Sequence, residues 1–216
     1  HDFPRLKSRW SKYQPSETFL QEAFDHMFAA LITSLRGCCC LYQGDELGLT
    51  QADIPYEKMQ DPFGLQGYPH VLGRDGSRTP MPWRKDAPAA GFTTAAEPWL
   101  PIPDDHRSYA VDVQEADPTS LLQKYRRLIR WRNQQPALRQ GDLTLLSLSE
   151  DKLLGFVRAC DRQRLLCLFN LSPATVYCDR AQLPPGEPTE EMGVSDRSYH
   201  DILELPPFGF YFANLI

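Results

Sequence analysis

Between Gln43 and Pro118, about 75 residues run with neither the 3.6-residue period of a helix nor the two-residue period of a strand. A loop this long inside a domain is uncommon and usually functional. It carries Tyr56, Phe63, Tyr68, Trp83, Phe92, Trp99 and Tyr109, too many rings for a solvated linker. The stretch is therefore expected to be ordered against other structure. Across the chain 19 Pro outnumber 13 Gly, which favours stiff connections.

Regular patterns flank this stretch. Residues Ser16–Arg36 place Phe19, Leu20, Ala23, Phe24, Met27, Phe28, Leu31, Ile32 and Leu35 on one face, the mark of an amphipathic helix. Ser16 can cap its start, and Gly37 can end it in the left-handed conformation. The apolar run Cys38-Cys39-Cys40-Leu41-Tyr42 then predicts a strand buried on both faces, as in a parallel sheet. A second helix is expected from Asp117-Pro118, with Asp as N-cap and Pro at the first position. Its buried stripe would be Leu121, Leu122, Tyr125, Leu128 and Ile129, flanked by Arg132, and Gln134-Gln135-Pro136 would end it.

After that the period becomes two, predicting strands at Leu143–Ser149, Leu153–Ala159, Arg164–Leu171, Ala174–Cys178 and Phe208–Leu215. Short, evenly spaced strands with tight turns predict an antiparallel β-sandwich. We expect a domain boundary near Pro136–Gly141, with residues 1–136 as the end of a βα-repeat domain and 137–216 as a β domain. A complete (β/α)8 barrel needs about 250 residues. With 216 residues and one convincing parallel strand, the chain cannot hold the whole barrel; opening on His1, it reads as a piece of a longer protein.

Composition removes other classes. Hydrophobic residues are 42% and charged residues 24%, which excludes disorder. The net charge of −5 and pI near 5.5 give no basic footprint for nucleic acid. No apolar run approaches the roughly 20 residues of a membrane span. The six cysteines lack zinc spacing and predict small core residues in a reducing, cytoplasmic compartment, although Cys160 and Cys167 could meet across a hairpin.

Three segments together resemble the α-amylase superfamily, glycoside hydrolase family 13, in its α-glucosidase and oligo-1,6-glucosidase branch. They are His1-Asp2-Phe3-Pro4-Arg5 with Ser8-Arg9-Trp10, then Leu41-Tyr42-Gln43-Gly44-Asp45-Glu46-Leu47-Gly48, then Gln60-Asp61-Pro62-Phe63-Gly64 with Gly73-Arg74-Asp75-Gly76-Ser77-Arg78-Thr79-Pro80-Met81-Pro82-Trp83. Glu97-Pro98-Trp99-Leu100-Pro101 and Leu205-Pro206-Pro207-Phe208-Gly209-Phe210 also fit. The resemblance covers essentially the whole chain. It implies the C-terminal part of a TIM barrel, from beyond strand 7 through helix 8, followed by a β-sandwich.

The implied chemistry is retaining cleavage of α-glucosides, which uses a nucleophile and an acid/base carboxyl about 5–5.5 Å apart. The family adds a third carboxylate that grips sugar hydroxyls in the transition state. By the motif, Asp2 is that third acid and His1 its hydroxyl-binding neighbour. Arg74 is the substrate-binding Arg that closes the pocket behind a non-reducing-end glucose, and Arg5 is a candidate either for a contact in the leaving-group site or for a structural role. Arg78 and Asp75 are expected to pair with each other. No segment matches the nucleophile or acid/base motifs, and Asp45 and Glu46 are read as hydrogen-bonding residues. His200-Asp201 reads as surface or turn. Phe63, Tyr68, Trp83 and Trp99 read as loop packing more than as sugar platforms.

No cofactor and no metal are implied. The expected partners are a small α-glucoside or oligosaccharide and either the rest of the barrel or a second copy; no nucleic acid or membrane partner is expected. The alternatives are a glucosyl-transferring or isomerising relative, and a non-catalytic structural or interaction module.

Overall fold

The computed structural model describes residues 1–10, 18–189, 197–199 and 201–216. Its backbone divides into two units, one formed by His1–Tyr13 with Cys40–Lys124 and the other by Gln14–Cys39 with Tyr125–Ile216. This grouping by packing cuts across the expected boundary near Pro136–Gly141, which is drawn along the chain. Helices that precede that point bury their apolar stripes on the sheet that follows it. Ser16 and His200 lie outside the described residues.

The second unit is built on eight antiparallel strands: β1 (Asp142–Leu145), β2 (Leu153–Cys160), β3 (Gln163–Asn170), β4 (Val176–Asp179), β5 (Gly186–Pro188), β6 (Arg197–Tyr199), β7 (Ile202–Leu205) and β8 (Phe210–Leu215). Five form one sheet in the order β1-β2-β3-β8-β5, and three form another in the order β4-β7-β6. The two-residue turn Asp161-Arg162 sets the β2–β3 register, pairing Cys160 with Gln163. Cys167 faces Phe156 instead, and all six cysteines are free, so the hairpin disulfide does not form. The strand expected over Leu143–Ser149 stops at Leu145, and the short β5, β6 and β7 were not anticipated.

Strand β3 is buried along almost its whole length rather than alternating. The reason is that each face of its sheet meets a different apolar layer. Leu166 and Leu168 join Leu153, Tyr211 and Ala213 against Val176, Cys178, Leu203 and Leu205 of the smaller sheet. On the opposite face, Phe156, Phe169, Phe210 and Phe212 form a chain of ring contacts. Trp131 reaches Phe212 with centroids 4.7 Å apart. Phe24 meets Phe208 edge-on at 5.3 Å. Fully burying rings of this size contributes about 1.5–3 kcal/mol each.

Phe24 belongs to helix α2 (Thr18–Ser34) and Trp131 to helix α6 (Leu121–Gln134), while the short helix α7 (Pro136–Gln140) adds buried Ala137 and Leu138. Helix α2 buries Phe24, Met27, Ala30 and Ser34, a helical period, while Phe19 and Leu35 at its ends are exposed. Thr33 and Ser34 satisfy their hydroxyls by donating to the Ala29 and Leu31 carbonyls, at 2.7 and 2.8 Å. Gly37 has the expected positive φ, +106°, three residues beyond the helix end.

Helix α6 starts later than its Asp-Pro signal. Asp117 instead caps a turn, accepting from the Thr119 backbone N–H at 2.8 Å, and Ser120 Oγ accepts from the Gln123 N–H at the helix start. Tyr125 and Trp131 are the buried aromatics of this helix, and Ile129 is its exposed edge.

Two arginines close the helix ends of this unit. Arg158, 1% exposed, donates to the carbonyls of Ser34 at 2.6 Å, Leu138 at 3.1 Å and Gly141 at 2.9 Å. Arg132 donates to those of Thr33 and Leu138, both at 2.9 Å, and Gly37 at 3.1 Å. Terminal helix carbonyls lack intrahelical partners and carry partial negative charge, so a buried guanidinium is well matched to them.

In the first unit the long aperiodic stretch is ordered, as expected, with short helices strung along the loop. These include α3 (Pro62–Gly67), α4 (Asp104–Ser108), α5 (Val111–Ala116) and single turns at Asp45–Leu47 and Asp75–Ser77. Elements this short show no periodicity because none completes two turns of an amphipathic face. Side chains splice them together. Gln114 donates to the Leu47 carbonyl at 2.8 Å and accepts from the Leu122 N–H at 3.0 Å. Leu47, Leu49 and Leu122 form the core there, with Met81, Tyr109 and Val111 packed around them.

The buried strand predicted at Cys38–Tyr42 is absent. Cys38 and Cys40 are exposed, and among the described residues no parallel strand offers it a ladder. A strand is fixed by its neighbours' hydrogen bonds, so an apolar run by itself does not make one.

Candidate functional site

Short helix α1 (Leu6–Arg9) follows Arg5 and anchors the N-terminal segment through Ser8, whose Oγ accepts from the Gln51 N–H at 2.7 Å. This sets His1 and Asp2 beside the segment Gly73–Arg78. Asp2 Oδ1 is approached by three cationic or hydrogen-bonding groups: Arg78 Nη2 at 3.1 Å, Arg74 Nη1 at 3.3 Å and His1 Nε2 at 3.3 Å. The Asp2 side chain is 55% exposed. Among the described residues none donates to its other oxygen.

The two halves of the most specific motif hold each other. Asp61, at the N-cap of α3, accepts from Phe63 N–H with Pro62 at the first helical position. Its carboxylate also takes the Arg74 N–H at 2.8 Å, Arg74 Nε at 3.0 Å and Arg74 Nη2 at 2.7 Å. In return Asp75 Oδ2 accepts from the backbone N–H groups of Gln60 at 2.6 Å and Asp61 at 2.8 Å. Gly73, at φ +68°, lets these strands of chain touch: a Cβ there would lie 2.7 Å from Gly64 Cα and 2.9 Å from Asp61 Oδ2.

Asp61 and Asp75 are both buried. The fork from Arg74 holds the Asp61 carboxyl well below the usual carboxylate range, and Asp61 in turn raises the Arg74 guanidinium above its ordinary value.

Arg78 is the residue that the sequence reading misplaced. It does not pair with Asp75; it turns to Asp2 and donates through Nε to the His1 carbonyl at 3.0 Å. Asp75 is occupied by backbone N–H groups, which a sequence pairing of opposite charges has no way to show. The four-residue spacing of Arg74 and Arg78 across the turn Asp75–Ser77 was the available signal, since it brings both guanidinium groups to one side.

Arg5 is also corrected. It is 1% exposed, donates to the Gln43 carbonyl, reaches Thr79 Oγ1 at 3.5 Å and lies over the Tyr42 ring at 5.4 Å. Burial lowers its guanidinium pKa, opposed by Tyr42, Asp45 and Glu46. A cation so enclosed has no face left for a sugar. Asp45 and Glu46 thereby acquire a role as its countercharges, and Glu46 also accepts from the Gly44 N–H at 2.7 Å. Gly44, at φ +96°, sits where any Cβ would collide with the Arg5 guanidinium.

The rings of Phe63, Tyr68, Trp83 and Trp99 are exposed, contrary to the packing expected of them, although Tyr68 rests on Tyr56 at 4.9 Å. A shallow depression of about 1480 Å³, lined by Trp83, Arg84, Phe92, Asp112 and Glu115 among others, includes none of the residues around Asp2. Among the described residues no three His, Cys, Asp or Glu side chains are grouped to hold a metal ion, and no helix is long and apolar enough to cross a membrane.

Residues 1–141 match the family model described as the α-amylase catalytic domain. A probable α-glucosidase of Rhizobium meliloti is 42% identical over all of this chain, which spans 38% of that protein. A probable oligo-1,6-glucosidase of Bacillus subtilis is 32% identical over 80% of the chain and 33% of its own length. The crystal structure of an α-glucosyl transfer enzyme superposes with a TM-score of 0.86 at 38% identity, covering all of this chain and 39% of that one. A trehalulose synthase from Pseudomonas mesoacidophila shares the fold, with a TM-score of 0.80 at 24% identity over 99% of this chain and 41% of its own. The chain thus spans about a third to two fifths of the relatives described. With its sequence matched over residues 1–141 and its whole length aligned to α-glucosidases, the chain belongs to the α-amylase family of glycoside hydrolases, in its α-glucosidase-like branch.

Proposed function

We propose that this chain is the C-terminal part of a retaining α-glucosidase that attacks the non-reducing-end glucose of small oligosaccharides or sucrose-like glucosides. The observation that carries this reading is the convergence of Arg74, Arg78 and His1 on one oxygen of Asp2. Asp2 is the transition-state-stabilising carboxylate. Two guanidinium groups hold and aim it, and its other oxygen is open to sugar hydroxyls. Hydrogen bonds to those hydroxyls that tighten as positive charge develops on the sugar lower the barrier without tightening ground-state binding.

His1 and Arg74 are the substrate-binding partners, with Arg78 beside them. The nucleophile and acid/base come from segments outside these 216 residues. Residues 1–136 form the end of the barrel domain and 137–216 a sandwich that stabilises it; the family match ending at residue 141 supports that division. The remainder of the barrel is the first partner of this segment. Six free cysteines support a cytoplasmic location.

The likeness to an α-glucosyl transfer enzyme favours a second reading, in which a sugar rather than water accepts the glucosyl group. The same residues around Asp2 serve either outcome, because acceptor choice is settled after the glucosyl-enzyme forms.

Asp2→Asn in the whole protein tests the reading. Turnover of a chromogenic α-glucoside should fall by about 100-fold or more, the scale on which a transition-state contact acts, with the melting temperature unchanged. Near-normal turnover would overturn the assignment. The isolated 216-residue chain should show no hydrolysis of the same substrate.

A further inference from the structure

Resting on that reading of Asp2, we infer that Asp61 is a positioning residue for the reaction, acting through Arg74. Three of the donors of Arg74, its backbone N–H, Nε and Nη2, are bound by the Asp61 carboxylate at 2.7–3.0 Å. A fork of this kind fixes the guanidinium plane as well as its place. The group left at the free edge is Nη1, and it is the one that reaches Asp2. Asp61 is 2% exposed, so substrate does not touch it, and Arg74 carries its influence outward.

Asp61 is itself fixed. Its backbone N–H is held by Asp75, its side chain caps α3, and Gly73 admits the close approach. The motif pair Gln60-Asp61-Pro62-Phe63-Gly64 and Gly73-Arg74-Asp75 is therefore one device for aiming a guanidinium. A surface ion pair would not need it. Arg74 loses a large share of side-chain freedom to this arrangement, and an Arg holding only Asp2 would swing about a single 3.3 Å contact.

The test is a double-mutant cycle in the whole protein, reading kcat and KM on a disaccharide together with melting temperature. Arg74→Ala and Asp61→Asn should each lower kcat/KM, Asp61→Asn by up to about 100-fold, the scale on which misplacement of a catalytic constellation acts. Because both act through one guanidinium, the double variant should be no worse than the poorer single. Asp61→Asn with unchanged kcat/KM, or losses that multiply in the double variant, would overturn the inference and leave Asp61 a structural cap.

Should Asp61→Asn fail to fold, Arg74→Lys takes its place. It keeps the charge near Asp2 but lacks the fork, and should lose as much kcat/KM as Arg74→Ala; full activity there overturns the inference. Failure of the parent reading has a different signature. Asp2→Asn would then turn over normally, and the inference would fall with it, whereas a dead Asp2→Asn beside a fully active Asp61→Asn condemns the inference alone.

Discussion

Arginine solves two different problems in the two units of this chain. In the second, Arg158 and Arg132 donate to the backbone carbonyls of Thr33, Ser34, Gly37, Leu138 and Gly141, and the Arg158 side chain is buried. In the first, Arg74 and Arg78 bind carboxylates, and the Arg74 side chain is 39% exposed. Helix-end carbonyls are fixed dipoles that cannot respond to a ligand. A half-exposed carboxylate with an open oxygen can. The lesson is that the chemistry of the acceptor, more than the burial of the cation, separates an arginine that ties backbone together from one that faces an open carboxylate.

The comparison can be broken in several ways. The largest expected effect is on Arg158→Met, which leaves the carbonyls of Ser34, Leu138 and Gly141 without this donor. The Leu138 carbonyl keeps Arg132 as a donor; with the other two left unsatisfied at about 1–3 kcal/mol each, urea denaturation should show a loss of about 2 kcal/mol or more. A loss below about 1 kcal/mol would mean that water replaces the guanidinium.

Asp75→Asn should do less, because an amide oxygen can still accept from Gln60 and Asp61. We expect a loss of about 1–2 kcal/mol of stability and a weakened Arg74 site. A variant as stable and active as the wild type would show that the clasp between the motif halves is dispensable.

Acid should also separate the units. The Asp61 carboxyl is held below the ordinary range by Arg74, so its contribution is present at neutral pH. It is lost as pH falls below the unfolded carboxylate value of about 4. His106 is fully buried, and burial lowers its pKa, so the folded state holds it neutral. The unfolded chain takes up a proton below about 6.5, so acidification destabilises the first unit in that window too. Arg158 does not titrate there. Amide exchange followed from pH 7 down to about pH 2 should therefore show protection falling first around His106 and then, below about pH 4, around Asp61, before it falls around Ser34 and Gly141. The reverse order would refute the assignment of these groups.

The smallest effect concerns the thiols. A thiol reagent should label exposed Cys38 and Cys40 in the native chain. Buried Cys167, whose thiol burial pushes up, should react only after unfolding. Protection of the triplet would revive the buried-strand reading of Cys38–Tyr42. Lys58→Ala, which removes the exposed ion pair with Glu97, should leave the melting temperature unchanged.

Sequence patterning found the helices and strands long enough to show a period: α2, most of α6, β2, β3 and β8. It failed where an element owes its existence to neighbours. Cys38–Tyr42 has the composition of a strand and no ladder, and β5 to β7 are too short to show alternation. At the site, motif matching named Asp2, His1 and Arg74, which the fold brings together, but it assigned Arg78 to Asp75 and offered Arg5 to the sugar as readily as to the fold. Both share a cause: residue type announces that a charge needs a partner, and only three-dimensional placement says which partner is within 3 Å.

The amino-acid sequence by itself determined the family, through eleven residues from Gly73 to Trp83 and the segments around Asp2 and Gln43. It also determined the periodic core, because apolar spacing dictates which face is removed from water. Tertiary structure alone decided which charges meet. Arg74 is spoken for by Asp61, Arg78 by Asp2, and Arg5 by the Gln43 carbonyl. Hydrophobic burial is non-directional and so can be read from a pattern, whereas a guanidinium fork is directional and short-ranged, and its partners are fixed only when the chain has closed around them.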